Sequence, residues 1–162
     1  EKIKRDEISK TVGTSIYSKK ELMFSITTDV YDTIQLPVNP LNTYLYNLYK
    51  KQNTKKIIIA RSIFLQGALL NELKNHKFKN EINNEISIIK NIANKNNIFY
   101  KKIIFNFVKN LKSIDYILSG STNIKNLNKL FKKKVRINQE IINSINQSSN
   151  KETTWNNIKN WN

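Results

Sequence analysis

The stretch IIIARSIFLQG, Ile57 to Gly67, decides the fold. Its first residues are β-branched and apolar on successive positions, which is typical of a parallel strand buried on both faces. Arg61, Ser62 and Gly67 then follow within a few residues. A strand interior disfavours a charge, a hydroxyl and a glycine, whereas a binding site at the end of a strand uses all three. The stretch therefore predicts a buried parallel strand with a ligand site at its C-terminal end.

The rest of the chain alternates between short β-rich segments and longer segments of helical period. Ser18 and Glu21 form a capping-box pattern at the start of the first helix, and an amphipathic helix runs through Leu41 to Tyr49. Strand and helix alternate four times, as in parallel βαβ units, so we expect an α/β fold. The predicted strands are Ile8–Ser15, Tyr31–Pro40, Lys55–Ser62 and Ile114–Ser121, and the other predicted helices span Ile82–Ala93, Ile103–Leu111, Ile124–Phe131, Ile141–Ile145 and Trp155–Trp161.

The glycines support a ligand site at one edge of the sheet. Gly13, Gly67 and Gly120 all fall at or just after the C-terminal end of a predicted strand. That edge is where ligands bind in parallel α/β folds. The alternative, that each glycine only serves a tight turn, stays open for any one of them, but their grouping favours binding.

Composition narrows the class of protein. The chain has no Cys, which excludes disulfides and cysteine metal sites. No apolar run reaches the roughly 18 residues that a membrane span needs, and we expect a cytoplasmic protein. The single histidine, His76, lies in the polar stretch LKNHKFKN and is expected to be a solvated surface residue.

The charge raises the alternative of a basic nucleic-acid-binding module. The net charge is +16, with 28 Lys and Arg against 12 Asp and Glu. The lysines are scattered, however, and the densest run, Lys129–Arg136, lacks the interleaved aromatics of a surface that binds single strands. The distribution of charge therefore argues against nucleic acid as the partner.

Four segments in order resemble the aldo-keto reductases, a family of NADP-dependent oxidoreductases. VGTSIYSKKEL is similar to the family's fifth strand and following helix, and YDTIQLPVNPLN to its sixth strand. IIIARSIFLQGALL is similar to the seventh, and IDYILSGSTNIKNLNKL to the eighth strand and the helix after it. The resemblance covers residues 1 to about 133 in collinear order.

The resemblance implies that the chain is the C-terminal half, strands five to eight, of a TIM (β/α)8 barrel. Residues 1–162 would form this half, with a helical tail from about residue 134. The rest of the barrel, upstream of Glu1, would be a partner for folding, since four strands alone leave two edges unpaired and an apolar inner face open.

The resemblance also assigns the site. It implies that Ser15 and Gln35 bind the nicotinamide carboxamide, for which an amide offers both a donor and an acceptor. Arg61 stands where many members stack a Tyr on the nicotinamide ring, and a planar guanidinium can also stack. The loop with Ser62, Leu65 and Gly67 would cross the pyrophosphate, and the last helix would begin at a phosphate. The residues assigned to that helix start are Gly120, Ser121, Thr122 and Asn123.

The implied cofactor is NADP, with NAD as the alternative. Ser121 matches a hydroxyl used on the 2′-phosphate, but the family's Arg and Asn further along the helix fall on Asn126 and Leu130. The implied substrate is a small carbonyl compound or sugar.

The family's catalytic Tyr, Lys, Asp and His belong to the first half of the barrel. We therefore expect no reductase activity from this chain alone, but NADP-dependent carbonyl reduction by a full-length protein. A non-catalytic barrel relative that serves as a scaffold is the second alternative, and only the sequence upstream of Glu1 separates the two.

Overall fold

The computed structural model describes residues 8–71, 73–120, 125, 128 and 137–161. Its sheet has four strands that pair in parallel in the order β1-β2-β3-β4. This confirms the predicted parallel α/β fold. The strands are β1 (Gly13–Ser15), β2 (Thr33–Pro37), β3 (Ile57–Arg61) and β4 (Tyr116–Ile117).

The helices follow the predicted order. Ser18 caps the first helix, its hydroxyl accepting from the Glu21 N–H while the Glu21 carboxylate accepts from the Ser18 N–H, which confirms the capping box. The predicted helix at Ile124–Phe131 lies outside the described residues apart from Lys125 and Asn128. The helices are α1 (Lys19–Thr27), α2 (Tyr44–Lys50), α3 (Lys79–Lys95), α4 (Tyr100–Lys109) and α5 (Gln139–Ser149), followed by 3-10 turns at Thr154–Asn156 and Ile158–Trp161.

The first strand is shorter than predicted because Asp32 forms hydrogen bonds with Val12, the residue just before the strand. The Asp32 carboxylate accepts from the Val12 N–H at 2.8 Å, and the Val12 carbonyl accepts from the Asp32 N–H at 2.8 Å. These bonds replace regular pairing before residue 13. Gly13 consequently opens β1, and its predicted place at the strand's C-terminal end is wrong.

The two faces of the sheet differ in burial. Ile34, Leu36, Ile58 and Ala60 are fully buried on the face that packs against the helices. The other face carries the cross-strand row Ser15, Gln35, Ile59 and Tyr116, in which Tyr116 is 63% exposed. We name this second surface the open face.

The prediction that β3 is buried on both faces is therefore correct for one face only. Ile57 and Ile59 are half-buried on the open face because no helix among the described residues covers it. None of the described helices is long and apolar enough to cross a membrane.

A glycine is required at the start of β1 by the approach of β2. A Cβ at Gly13 would lie 2.9 Å from the Thr33 carbonyl oxygen, which is closer than packed atoms approach. At Gly120, a Cβ would meet nothing within 4 Å. A side chain is therefore tolerated at Gly120 but not at Gly13, although both glycines lie beside strands.

We expect Gly13→Ala to lower the free energy of unfolding by about 1–3 kcal/mol, since β2 would have to move. Gly120→Ala is the matched control and should change it by no more than about 0.5 kcal/mol. Urea unfolding followed by circular dichroism measures both. Equal midpoints for the two variants would contradict the close approach of β1 and β2.

Candidate functional site

The C-terminal ends of β3 and β4 open into one groove of about 1040 Å³, which we name the strand-exit groove. It lies where the sequence places a ligand, and four predicted site residues line it: Arg61, Ser62, Gly67 and Gly120. Its other walls are Ile63, Phe64, Gln66, Leu70, Asn71, Lys101, Leu118, Ser119 and Ile158.

The loop after β3 has an unusual backbone. Ser62, Leu65 and Gln66 have positive φ angles of 55°, 46° and 55°, and Gly67 has 88°. Residues with a Cβ rarely adopt this left-handed region, and such strain concentrates at functional sites. Three backbone hydrogen bonds of 2.9 Å hold the turn: Leu65 N–H to Ser62, Gly67 N–H to Phe64, and Ala68 N–H to Leu65.

Several N–H groups of this loop are left without partners. Within the described part of the chain, the backbone N–H groups of Ser62, Ile63, Phe64 and Gln66 find no acceptor. Unpaired N–H groups beside left-handed residues form concave sites that bind anions. The side chain of Lys101, exposed at the start of α4, adds a positive charge to the same groove.

Asn39 holds this loop in place. Its side chain is fully buried and donates from Nδ2 to the Ser62 carbonyl at 3.1 Å, while its Oδ1 accepts from the Leu41 N–H at 2.9 Å. The loop after β2 is thereby tied to the first left-handed residue of the loop after β3.

Arg61 forms the end of the groove that adjoins the sheet. Its side chain is 7% exposed, and Nη2 donates to the Ile16 carbonyl at 2.6 Å. Nη1 donates to the Ser62 hydroxyl at 3.2 Å. Burial lowers the pKa of Arg61, and the nearby Tyr17 and Glu21 act in the opposite direction. An arginine at this depth stays charged at neutral pH.

Tyr17 packs against two cations. The guanidinium carbon of Arg61 lies 4.1 Å from the Tyr17 ring centroid, and Lys159 Nζ lies 4.2 Å from it. Lys159 belongs to the C-terminal 3-10 turn, so this stack ties the tail to the exit of β1.

The Glu21 carboxylate fixes the backbone at Tyr17. It accepts from the N–H groups of Tyr17 at 2.6 Å and Ser18 at 2.9 Å. Burial acts to raise the pKa of Glu21, but these hydrogen bonds and the charge of Lys159 lower it below its ordinary value.

Not every predicted site residue reaches the groove. Ser15 and Gln35 pair in register on the open face, and neither lines the groove. The Gln35 side chain is half-buried, and its amide has no hydrogen-bond partner among the described residues. The Leu65 side chain is 1% exposed and packs in the core. Ser121, Thr122 and Asn123 lie outside the described residues.

The prediction that His76 is solvated is wrong. Its ring is half-buried, lies 4.4 Å from the Trp161 ring, and accepts at Nδ1 from the Phe78 N–H at 3.2 Å. The tail folds back over it, a long-range contact that local polarity does not reveal. No group of His, Asp and Glu suited to a metal ion occurs within the residues described.

The sequence did not single out Asn39, Tyr17, Lys101 or Lys159. The Asn-Pro turn after β2 was a usable signal for Asn39, because Asn at such a turn bonds neighbouring backbone. No local sequence signal marks the other three residues, because each acts through contacts with residues that are distant in sequence.

Comparison with solved structures identifies the fold. The silkworm aldo-keto reductase AKR2E5 in complex with NADPH superimposes with a TM-score of 0.59 at 17% identity, covering 92% of this chain and 45% of that protein. The apo form of Gox0644 superimposes with a TM-score of 0.60 at 16% identity, covering 96% of this chain and 54% of that protein.

These comparisons confirm the resemblance to aldo-keto reductases in fold. The chain spans about half the length of the solved structures that it matches, as expected of part of a (β/α)8 barrel. No family model and no curated protein matches the sequence.

We expect Asn39→Ala to lower the free energy of unfolding by about 1–3 kcal/mol, because the buried Leu41 N–H loses its acceptor and the Ser62 carbonyl keeps only the Leu65 N–H. Asn84→Ala, at an exposed position within α3, is the control and should change it by at most about 0.5 kcal/mol. Chemical unfolding measures both. An Asn39→Ala variant as stable as the control would show that the side chain does not hold the loop.

Proposed function

We propose that this chain is the cofactor-binding half of an aldo-keto reductase-like oxidoreductase that uses NADPH, with NADH as the alternative. The observation that carries the proposal is a set of backbone N–H groups with no acceptor among the described residues, at four residues that line the groove: Ser62, Ile63, Phe64 and Gln66. Such groups suit a pyrophosphate, and Gly67 lets the backbone approach it closely.

The groove has room and charge for a dinucleotide. A volume of about 1040 Å³ is at the upper end of the range of small-molecule sites. Lys101 on one wall and Arg61 on another supply positive charge for phosphates and a planar group for a ring. The solved structure of AKR2E5, which shares this fold, holds NADPH.

The remaining parts of the cofactor are assigned to residues beyond the groove. Gln35, whose amide has no hydrogen-bond partner among the described residues, would bind the carboxamide together with Ser15, which lies beside it in register. Ser121, Thr122 and Asn123, after Gly120, would bind the 2′-phosphate. When bound, the nicotinamide supplies the hydride that reduces a carbonyl carbon.

The open face supports a role for further barrel strands. Its row Ser15, Gln35, Ile59 and Tyr116 carries no charged residue, in a chain with a net charge of +16. Arg61, two residues after Ile59 in β3, is the one charged residue that the described strands place on this face, and it is only 7% exposed. A sheet face that exposes so little charge in so basic a chain is suited to burial. We propose that it is covered by the rest of a barrel, which supplies the catalytic Tyr, Lys, Asp and His and shapes the pocket for a small carbonyl or sugar.

The matched pair Lys101 and Lys102 tests the proposal. Both are exposed at the start of α4, but only Lys101 lines the groove. We expect Lys101→Glu to weaken NADPH binding roughly tenfold at low salt, because reversing the charge repels the phosphates, whereas Lys102→Glu changes it at most about twofold. Isothermal titration calorimetry on the full-length protein measures both. If the wild-type protein bound no NADPH, the non-catalytic alternative would replace this proposal.

A further inference from the structure

Arg61 is a buried part of the wall of the strand-exit groove, so its charge is held at a fixed place. The residue closes β3, and its side chain is 7% exposed while still lining the groove. Lys101, the other basic residue of the lining, is exposed and free to be screened by solvent and salt. Arg61 is therefore the fixed positive charge of the site.

Three contacts prevent the guanidinium from turning away. Nη2 bonds the Ile16 carbonyl at 2.6 Å, Nη1 bonds the Ser62 hydroxyl at 3.2 Å, and the Tyr17 ring lies 4.1 Å from the guanidinium carbon. The first partner sits on the exit of β1 and the second on the loop after β3. The position of the charge is thus set by the sheet itself.

The charge of Arg61 is not paired with a carboxylate in the part of the chain that the structure describes. Within the described residues Arg61 makes no ion pair. Glu21 is the acidic residue whose charge reaches it, and that carboxylate already accepts from the N–H groups of Tyr17 and Ser18. Among the described residues, the hydrogen-bond partners of Arg61 are a neutral carbonyl and a hydroxyl, so neither partner offsets its positive charge.

We propose that Arg61 makes the groove select the reduced nicotinamide cofactor over the oxidised one. This rests on the proposed function, in which the nicotinamide lies at the Arg61 end of the groove. The two redox forms differ by one positive charge on the nicotinamide ring. A neutral dihydronicotinamide ring packs against a guanidinium without repulsion, whereas the cationic oxidised ring is repelled by a charge that cannot move and is shielded from water.

The consequence is a difference in how long the two forms of the cofactor are retained. The protein would hold the reduced cofactor tightly and release the oxidised form readily. A Tyr at this position would act in the opposite sense, because an aromatic face attracts a cation.

The test compares three ligands on the full-length protein by isothermal titration calorimetry: NADPH, NADP+ and 2′-phospho-ADP-ribose, which lacks the nicotinamide ring. We expect the wild-type protein to bind NADPH at least roughly tenfold tighter than NADP+, as one unscreened charge at short range requires. Arg61→Met should bring the ratio close to one, and Arg61→Lys, which keeps the charge, should retain most of it.

The third ligand separates the two ways in which the account can fail. If 2′-phospho-ADP-ribose and NADPH both fail to bind the wild-type protein, the proposed function falls and this inference with it. If all three ligands bind but the wild-type protein holds NADPH and NADP+ equally, the proposed function stands and the role of Arg61 is refuted. This wild-type ratio decides the matter even if Arg61→Met does not fold.

Discussion

The parallel pairing of the four strands is the constraint on which the rest of the structure depends. Parallel strands require a crossover between each pair, and crossovers of one hand place the helices on one side of the sheet. All four strands then end at the same edge, where their loops meet. The strand-exit groove and the open face are both consequences of this one arrangement.

At the groove, order is maintained by contacts between loops. The left-handed backbone of Ser62, Leu65 and Gln66 is unfavourable by itself. Asn39 from the loop after β2 and the Arg61 side chain both bond Ser62, one at its carbonyl and the other at its hydroxyl. A loop held in this way presents its N–H groups without further ordering when an anion binds, and pre-organisation of this kind favours affinity.

Much of the fold was predictable from the sequence because its signals are local. Period and capping residues located the helices, and the apolar run Ile57–Ile59 located the strand beside the groove. The predicted start of β1 was wrong because Asp32, a residue distant in sequence, pairs with Val12. His76 was misassigned for the same reason, since the ring that shields it, Trp161, comes from the tail.

The candidate site was predictable in part. Arg61, Ser62, Gly67 and Gly120 line the groove because strand ends and glycines mark loops, and loops meet at one edge of a parallel sheet. Asn39 acts through its bond to Ser62, which spans 23 residues. Tyr17 acts through the contact of its ring with the guanidinium of Arg61, which is also distant in sequence. Local patterns do not carry such contacts, which depend on the register of the assembled sheet.

Amide hydrogen exchange with and without NADPH tests the central claim most directly. In the proposed site, the loop after β3 binds the phosphates of a nicotinamide cofactor through its own N–H groups. NADPH should therefore slow exchange at Ser62, Ile63, Phe64 and Gln66, the N–H groups that lack acceptors within the described structure. Unchanged exchange at these four amides under saturating NADPH would contradict it.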